Sequence, residues 1–394
     1  PGLNIEGLRG SYRYYDCKVE FAERLCLENA LAAGENGATT LNHASVTDVI
    51  IENKTVKGVQ VQDTISGQKY EVKARIVVNA AGHWMDKLCS VVYGQPRDII
   101  RRTKGIHILT RRLTNNALVL FARSDGRLWF VIPWQSYSLI GTTDTDYFGD
   151  LDSIYASEAD VNYLLAEAKM VFPNLNSKDV LYTYAGLRSL ARKGGSTSNI
   201  TRAHKLLDHE KIDKIKGFIS ILGGKITGYR AIAEEVTDLI CTHLTMRTTC
   251  RTSSRHLPGG GTVTKEQIEE SAQKSRLTVE TIEHLVALYG SRFHQVLELV
   301  QDDSTGRHIL CPHSLDIVAQ VWHAVREEGA LTIKDFLLRR GSCGFERCQG
   351  LDAVDTVATH MGHLLDWDET ERQRQATMYR EFVALGQRYG QSAS

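Results

Sequence analysis

The stretch Leu222-Gly223-Gly224-Lys225-Ile226-Thr227-Gly228 follows an apolar run, Phe218 to Ile221, and precedes a helix-like run from Ala231 to Val236. Strand, glycine turn and helix in that order aim free backbone N–H groups and a positive helix end at whatever lies above them. Two glycines let a flat or anionic ligand approach the backbone closely, and Lys225 adds a mobile cation at the same point. A second turn of this kind occurs in Val77-Val78-Asn79-Ala80-Ala81-Gly82-His83-Trp84, where an apolar strand ends in small residues. Three basic residues complete the set. His107 lies mid-strand in Lys104-Gly105-Ile106-His107-Ile108, Arg188 follows a strand in Tyr184-Ala185-Gly186-Leu187-Arg188, and Arg202 lies in Ile200-Thr201-Arg202. Each has an ordinary alternative: glycine turns often only start helices, strand histidines pack in cores, and arginines populate surfaces. Together they point to flavin chemistry.

Other elements must bring these residues together. Val19 to Ala33 reads as a helix with Phe21, Ala22, Leu25 and Cys26 on one face and Gly34 as its stop. Ala38 to His43 reads as a buried strand. Val46 to Val61 alternates around Glu52-Asn53-Lys54 as a hairpin does, and Val72 to Asn79 reads as one further strand. From Lys104 to Thr143 come short strands (His107–Leu109, Ala117–Phe121, Leu128–Pro133, Ser138–Gly141) that suit an antiparallel sheet. A helix over Ala159–Phe172 and strands over Leu181–Gly186, Leu206–Asp208 and Gly217–Leu222 follow. Pro258-Gly259-Gly260-Gly261 reads as a linker, and everything beyond it as helix, with capping-box spacing at Thr264/Gln267 and Asp368/Glu371.

Composition narrows the class. At 394 residues, two or three domains with ample core are expected. Lysine plus arginine and aspartate plus glutamate both number 47, so the net charge is zero and no basic footprint for nucleic acid exists. No apolar run approaches the ~18 residues of a membrane span, and no signal peptide is visible. The eight cysteines are spread thinly, as reduced thiols of a cytosolic protein would be, apart from a cluster between Cys311 and Cys348. The chain opens on Pro1 in a loop-like stretch and is expected to lack its front.

In order and spacing the motifs resemble the FAD-dependent glycerol-3-phosphate dehydrogenases and oxidases of the D-amino-acid-oxidase superfamily. The matching pieces are Tyr14-Tyr15-Asp16-Cys17, Asn79-Ala80-Ala81-Gly82-His83-Trp84, Lys104-Gly105-Ile106-His107, Phe130-Val131-Ile132-Pro133-Trp134, Ile140-Gly141-Thr142-Thr143-Asp144, Gly186-Leu187-Arg188-Ser189-Leu190 and Gly223-Gly224-Lys225-Ile226-Thr227. The resemblance implies an α/β flavoprotein fold, N-terminally incomplete, with an antiparallel substrate sheet and an all-α cap. The expected segments are a partial FAD-binding domain (1–103), a substrate-binding domain (104–210), a return to the FAD domain (211–257) and a helical domain (262–394).

For the site, the resemblance implies FAD as cofactor, bound by Ala80, Ala81, Gly82 and Trp84 and by Gly223, Gly224, Lys225, Ile226 and Thr227, with Ser45 and Val46 passing near its adenine end. Arg188 and Arg202 would hold a substrate phosphate, Lys225 would sit beside substrate and flavin, and His107 would lie at the carbinol as a base. The chemistry is consistent. Oxidising a secondary alcohol needs a proton acceptor, which histidine supplies near neutral pH, and a hydride acceptor, which a flavin supplies. Expected partners are a phosphorylated polyol as substrate and a quinone as electron acceptor, with dioxygen as the oxidase alternative. A cytoplasmic location is expected. A peripheral contact at the inner face of the plasma membrane and a homodimer are left open, and no nucleic acid is expected.

The family's Gly-x-Gly-x-x-Gly turn for the FAD pyrophosphate does not occur in the chain. The expectation is therefore weak FAD retention by this chain alone, and a third reading is a non-catalytic structural half. In the tail, Ala324-Val325-Arg326-Glu327-Glu328 and Phe336-Leu337-Leu338-Arg339-Arg340 resemble the helical cap. Cys311 and Cys348 match two cysteines of an iron–sulfur ligand set found in the anaerobic branch, with His313 and Ala353 in the other places and Cys343 as a substitute. The expectation is a structural cap without metal.

Overall fold

Asn53 and Lys54 both adopt positive φ (49° and 59°), the twist that a two-residue turn needs to match the strands it joins. In the computed structural model, which describes residues 3–6, 8–192 and 203–387, that turn belongs to the first of two compact units. One is centred on His43–Ser254; the other is formed by Arg9–Asn42 and Arg255–Gln387. In chain order the elements are α1 (Ala22–Glu35), β1 (Ala44–Glu52), β2 (Thr55–Asp63), β3 (Lys69–Lys73), β4 (Val77–Asn79) and α2 (Met85–Tyr93). Then come β5 (Ile100–Arg111), β6 (Leu118–Phe121), β7 (Leu128–Trp134), β8 (Tyr137–Gly141), β9 (Thr145–Asp146), α3 (Glu158–Val171) and β10 (Val180–Ala191). After the undescribed residues follow β11 (Lys205–Asp208), α4 (His209–Asp213), β12 (Phe218–Leu222) and α5 (Tyr229–His243). The helices α6 (Lys265–Ser275), α7 (Val279–Tyr289), α8 (Phe293–Asp302), α9 (Val318–Arg326), α10 (Ile333–Arg339), α11 (Val354–Leu364) and α12 (Glu369–Leu385) complete the chain.

Among the described residues the first unit holds three sheets. β1, β2 and β3 form an antiparallel meander. β12 lies between β11, antiparallel to it, and β4, parallel to it. The largest sheet is antiparallel, in the order β10-β5-β8-β7-β6, with β9 against β5. One of its faces carries Ile106, Ile108, Val131 and Ile140 into a core closed by Val161, Leu164 and Ala168 of α3. The α3 helix starts with a capping box in which Ser157 and Asp160 exchange bonds. Asp160 also receives Lys104 of β5 at 2.5 Å, so a charged contact accompanies the apolar packing of helix on sheet.

Two strand expectations are corrected. The run Val72–Asn79 is not one strand. Ala74 N–H bonds the Lys57 carbonyl at 2.8 Å and Val77 N–H bonds the Gly217 carbonyl at 2.8 Å, so the chain leaves the meander at β3 and joins the β12 sheet as β4. Apolar alternation cannot report such a change of partner. Ala38–His43 is coil rather than strand, with Leu41 71% exposed. Among the described residues no strand pairs with it, and an unpaired strand leaves its backbone groups to water.

In the second unit, α1 packs with the C-terminal helices. Arg24 is 4% exposed, reaches Glu328 at 2.6 Å, donates to the Leu288 carbonyl at 3.0 Å and lies over the Tyr289 ring at 4.4 Å. These partners lie far from Arg24 in sequence, so the segment read as 1–103 is divided between the two units. The capping boxes at Thr264/Gln267 and Thr332/Asp335 are formed, and Asp368 caps α12 by accepting from Glu371 N–H. Asp316 is fully buried and accepts from the N–H groups of Ser342 and Cys343 at 2.6 and 2.8 Å and from His284 at 2.7 Å. Against the burial that would raise it, these contacts hold its carboxyl below the usual carboxylate range. No described helix is long and apolar enough to cross a membrane.

Candidate active site

Strand register assembles the first part of the site. Antiparallel pairing sets Tyr184 opposite His107, Gly186 opposite Gly105 and Arg188 opposite Thr103, while β8 sets Gly141 opposite His107. Period-two alternation then puts His107, Arg188 and the three glycines on one face of the large sheet, the face turned away from α3. The glycines make room. A Cβ on Gly105 would lie 2.4 Å from a guanidinium nitrogen of Arg188, and a Cβ on Gly141 would lie 2.2 Å from the His107 ring. Both side chains thus lie flat over bare backbone. The His107 ring stacks on Tyr184, with centroids 5.3 Å apart and planes 25° apart.

The Arg188 guanidinium is tethered on one side. It donates to the Thr142 hydroxyl at 2.8 Å, to the Thr143 carbonyl at 3.0 Å and to the Asp144 carboxylate at 3.3 Å. Burial, and then the neighbouring Arg188 charge, pull the His107 pKa down to about 4. The imidazole is therefore neutral at physiological pH and able to accept a proton. Gly141→Ala is expected to push the ring off Tyr184 and towards water. Its pKa should climb from about 4 towards the ordinary 6.5, read from the ring proton shift in an NMR titration, and stability should fall by roughly 1–3 kcal/mol. An unchanged titration would mean that the strand yields instead of the ring.

The second part is a cleft of about 530 Å³ lined by Ala80, Gly82, Arg188, Gly223, Gly224, Lys225 and Ile226, with His83, Leu187, Ser189, Leu190, Ala191, Ala203 and Ile221 completing it. Parallel pairing of β4 with β12 brings the carboxyl ends of two strands together, where open α/β sheets bind ligands. Each strand then turns on glycine with positive φ: Gly82 at 56°, Gly223 at 70° and Gly224 at 103°. Beyond the second turn a 3₁₀ turn, Ile226–Gly228, runs into α5, and neither start has a side-chain cap. Those N–H groups are of the kind that bind an anion or a polarised ring edge. The first turn is held from below. Asn79 is 1% exposed; its amide donates to the Met85 carbonyl at 3.1 Å and accepts from Ala81 N–H at 3.3 Å.

Of the residues singled out in the sequence, Ala80, Gly82, Arg188, Gly223, Gly224, Lys225 and Ile226 meet in this cleft. His107 lies beside Arg188 on the sheet face rather than in the lining. Ala81 and Thr227 belong to the two turns without lining the cleft, and the Trp84 indole donates to Asp152 at 2.9 Å. Ser45 and Val46 sit on β1, exposed, outside the lining. Arg202 lies outside the described residues. Residues that the sequence reading missed are His83, Asp144 and the wall from Ser189 to Ala191. The strand read as ending at Gly186 runs on to Ala191, and the apolar residues Leu187, Leu190 and Ala191 were the signal for it.

The cysteine cluster is elsewhere, in the helical unit. The Cys311 and Cys348 sulfurs are 4.0 Å apart, and His313 is turned to Arg347 at 3.3 Å and Asp352 at 3.6 Å. Among the described residues no group of three or more His, Cys, Asp or Glu side chains is arranged to hold a metal ion.

The chain is similar to known proteins over most of its length. Residues 1–239 match the family of FAD dependent oxidoreductases, and residues 250–372 match the C-terminal domain of alpha-glycerophosphate oxidase. The chain is 35% identical to a glycerol-3-phosphate dehydrogenase of Synechocystis sp., covering 96% of this chain and 72% of that one. It is 30% identical to an aerobic glycerol-3-phosphate dehydrogenase of Staphylococcus epidermidis, over 95% of this chain and 69% of the relative. Among solved structures, the glycerol-3-phosphate dehydrogenase of Bacillus halodurans complexed with FAD superposes with a TM-score of 0.79 at 28% identity, covering 94% of this chain and 74% of that one.

Proposed function

The chain belongs to the FAD-dependent glycerol-3-phosphate dehydrogenase and oxidase family, and from that premise we propose that it oxidises sn-glycerol 3-phosphate to dihydroxyacetone phosphate and passes the electrons to a quinone. It is an oxidoreductase with FAD as cofactor. The residues present fit that group. Three cleft glycines at positive φ leave the backbone open to a flat ring, and the uncapped turn beyond Gly224 offers N–H groups to its electron-rich edge. The observation that carries the reading is the sheet face: a neutral imidazole lies beside a tethered guanidinium at the edge of the cleft.

In this reading His107 accepts the hydroxyl proton of the substrate. Bound FAD supplies the acceptor for the hydride. Lys225, exposed and without an acidic partner among the described residues, offers a mobile cation to charge developing at the ring or substrate. Arg188 holds the phosphate and thereby the carbinol; Arg202, read from the sequence as its companion, lies outside the described residues. Two electrons and two protons leave each substrate for the acceptor. The sequence relatives are named dehydrogenases, and the reading takes a quinone as acceptor, with dioxygen as the alternative that the assay separates.

The test is an assay of FAD-supplied protein with glycerol 3-phosphate and a soluble quinone analogue. The expected result is one quinone reduced per dihydroxyacetone phosphate formed, with little peroxide in air. One peroxide per product, indifferent to quinone, would move the acceptor to dioxygen. Failure to form dihydroxyacetone phosphate with either acceptor, despite bound FAD, would overturn the substrate assignment.

A further inference from the structure

We propose that Asp144 is a positioning residue, fixing the Arg188 guanidinium in the orientation that receives a phosphate-bearing substrate. The inference rests on the reading of Arg188 as the phosphate contact. It gives a role to Thr142-Thr143-Asp144, the segment that follows β8.

The geometry is specific. Arg188 is a long, flexible side chain projecting from β10 on the glycine-floored face, and its side chain is 25% exposed. The bare backbone of Gly105 removes a wall rather than providing one. Orientation comes from the segment after β8: Nη2 donates to the Thr142 hydroxyl at 2.8 Å, and Nη1 to the Thr143 carbonyl at 3.0 Å and to Asp144 Oδ1 at 3.3 Å. Of these acceptors only Asp144 carries charge, and its side chain is 10% exposed. A carboxylate in that position restrains the planar fork and offsets the cost of holding a cation half-buried beside an imidazole.

The neighbouring charges are matched to other partners. Arg101 is bound by both oxygens of Asp146 at 2.5 and 2.6 Å. Arg127 meets the backbone carbonyl of Asp144, at 3.1 Å, and pairs through Asp125 at 2.9 Å. The Asp144 carboxylate reaches Arg188 through Oδ1 at 3.3 Å and its charge is also felt by Arg101. Orientation is where binding affinity is gained: a guanidinium already held in place loses less freedom when a phosphate docks.

The test is calorimetric titration of the FAD-supplied chain with dihydroxyacetone phosphate, which carries the same phosphate and does not reduce the flavin, on Asp144→Asn, Arg188→Ala and the double variant, with kcat and KM for glycerol 3-phosphate measured alongside. Asp144→Asn keeps the shape and removes the charge. Expected is a dissociation constant raised about ten-fold, KM raised to match, kcat within about two-fold, and an unchanged melting curve. In the Arg188→Ala background the same change should alter the dissociation constant by less than about two-fold, since a positioning residue has nothing left to position. An equal effect in both backgrounds would show that Asp144 does not act through Arg188. No effect in the wild-type background, or tighter binding because the carboxylate competes with phosphate, would overturn the proposal as well. If Arg188→Ala alone leaves the dissociation constant unchanged, the phosphate assignment of Arg188 fails and the inference falls with it. That outcome is distinct from a silent Asp144→Asn. Should Asp144→Asn fold poorly, Thr142→Val, which deletes the 2.8 Å tether, is expected to raise the dissociation constant several-fold in the wild-type background only. Equal binding there would count against a tethered guanidinium.

Discussion

Replacing His107 by alanine is expected to lower kcat/KM for glycerol 3-phosphate by about 10²–10⁴, the usual contribution of a positioned general base. The imidazole lies over the bare backbone of Gly141 and against Tyr184, so its removal leaves a polar hole at the place where the hydroxyl proton must go. FAD retention, measured by absorbance after denaturation, should change little, because His107 is not among the cleft-lining residues. The pH profile supplies a second check. Burial and Arg188 hold the His107 pKa at about 4, so in the wild type kcat/KM should fall only as pH drops through that region, where the base becomes protonated. In the alanine variant that limb should disappear. A variant that retains wild-type kcat/KM would remove His107 from the reaction.

Arg188→Ala should weaken glycerol 3-phosphate by at least one to two powers of ten while leaving glycerol nearly unaffected. A lost guanidinium–phosphate contact leaves a dianion underpaired, and each decade corresponds to ~1.4 kcal/mol. A further consequence follows from the sheet geometry. Arg188 is one of the two causes that depress the His107 pKa, so the acid limb of kcat/KM should move up in the variant. Equal losses on glycerol and on its phosphate would show that Arg188 does not read the phosphate. An unmoved limb would show that the two side chains do not share a field.

The local pieces of the site were legible in the sequence because each is short and contiguous. Phe218–Ile221 followed by Gly223, Gly224 and Lys225 already specifies strand, left-handed turn and helix start, and both glycines do take positive φ. The same holds for Val77 to Gly82, and for the capping residues Thr264 and Asp368, whose partners lie three residues on. The fold class was legible through the family resemblance that these motifs carry in their order and spacing.

Only the tertiary structure decided what lies beside what. The sequence could not show that Gly105 and Gly141 are floors for Arg188 and His107, because a glycine's vacancy acquires meaning only from the neighbour across the register. Nor could it assign Asp144 to Arg188, 44 residues away, or Arg24 to Glu328, 304 residues away. It also misplaced a strand at Ala38–His43 and joined β3 to β4, since alternation reports which residues are apolar and not which edge is free to pair. Backbone periodicity and turn chemistry are set within a few residues of chain. Register, charge pairing and the depression of the His107 pKa depend on distances through space, which exist only once the sheets have closed.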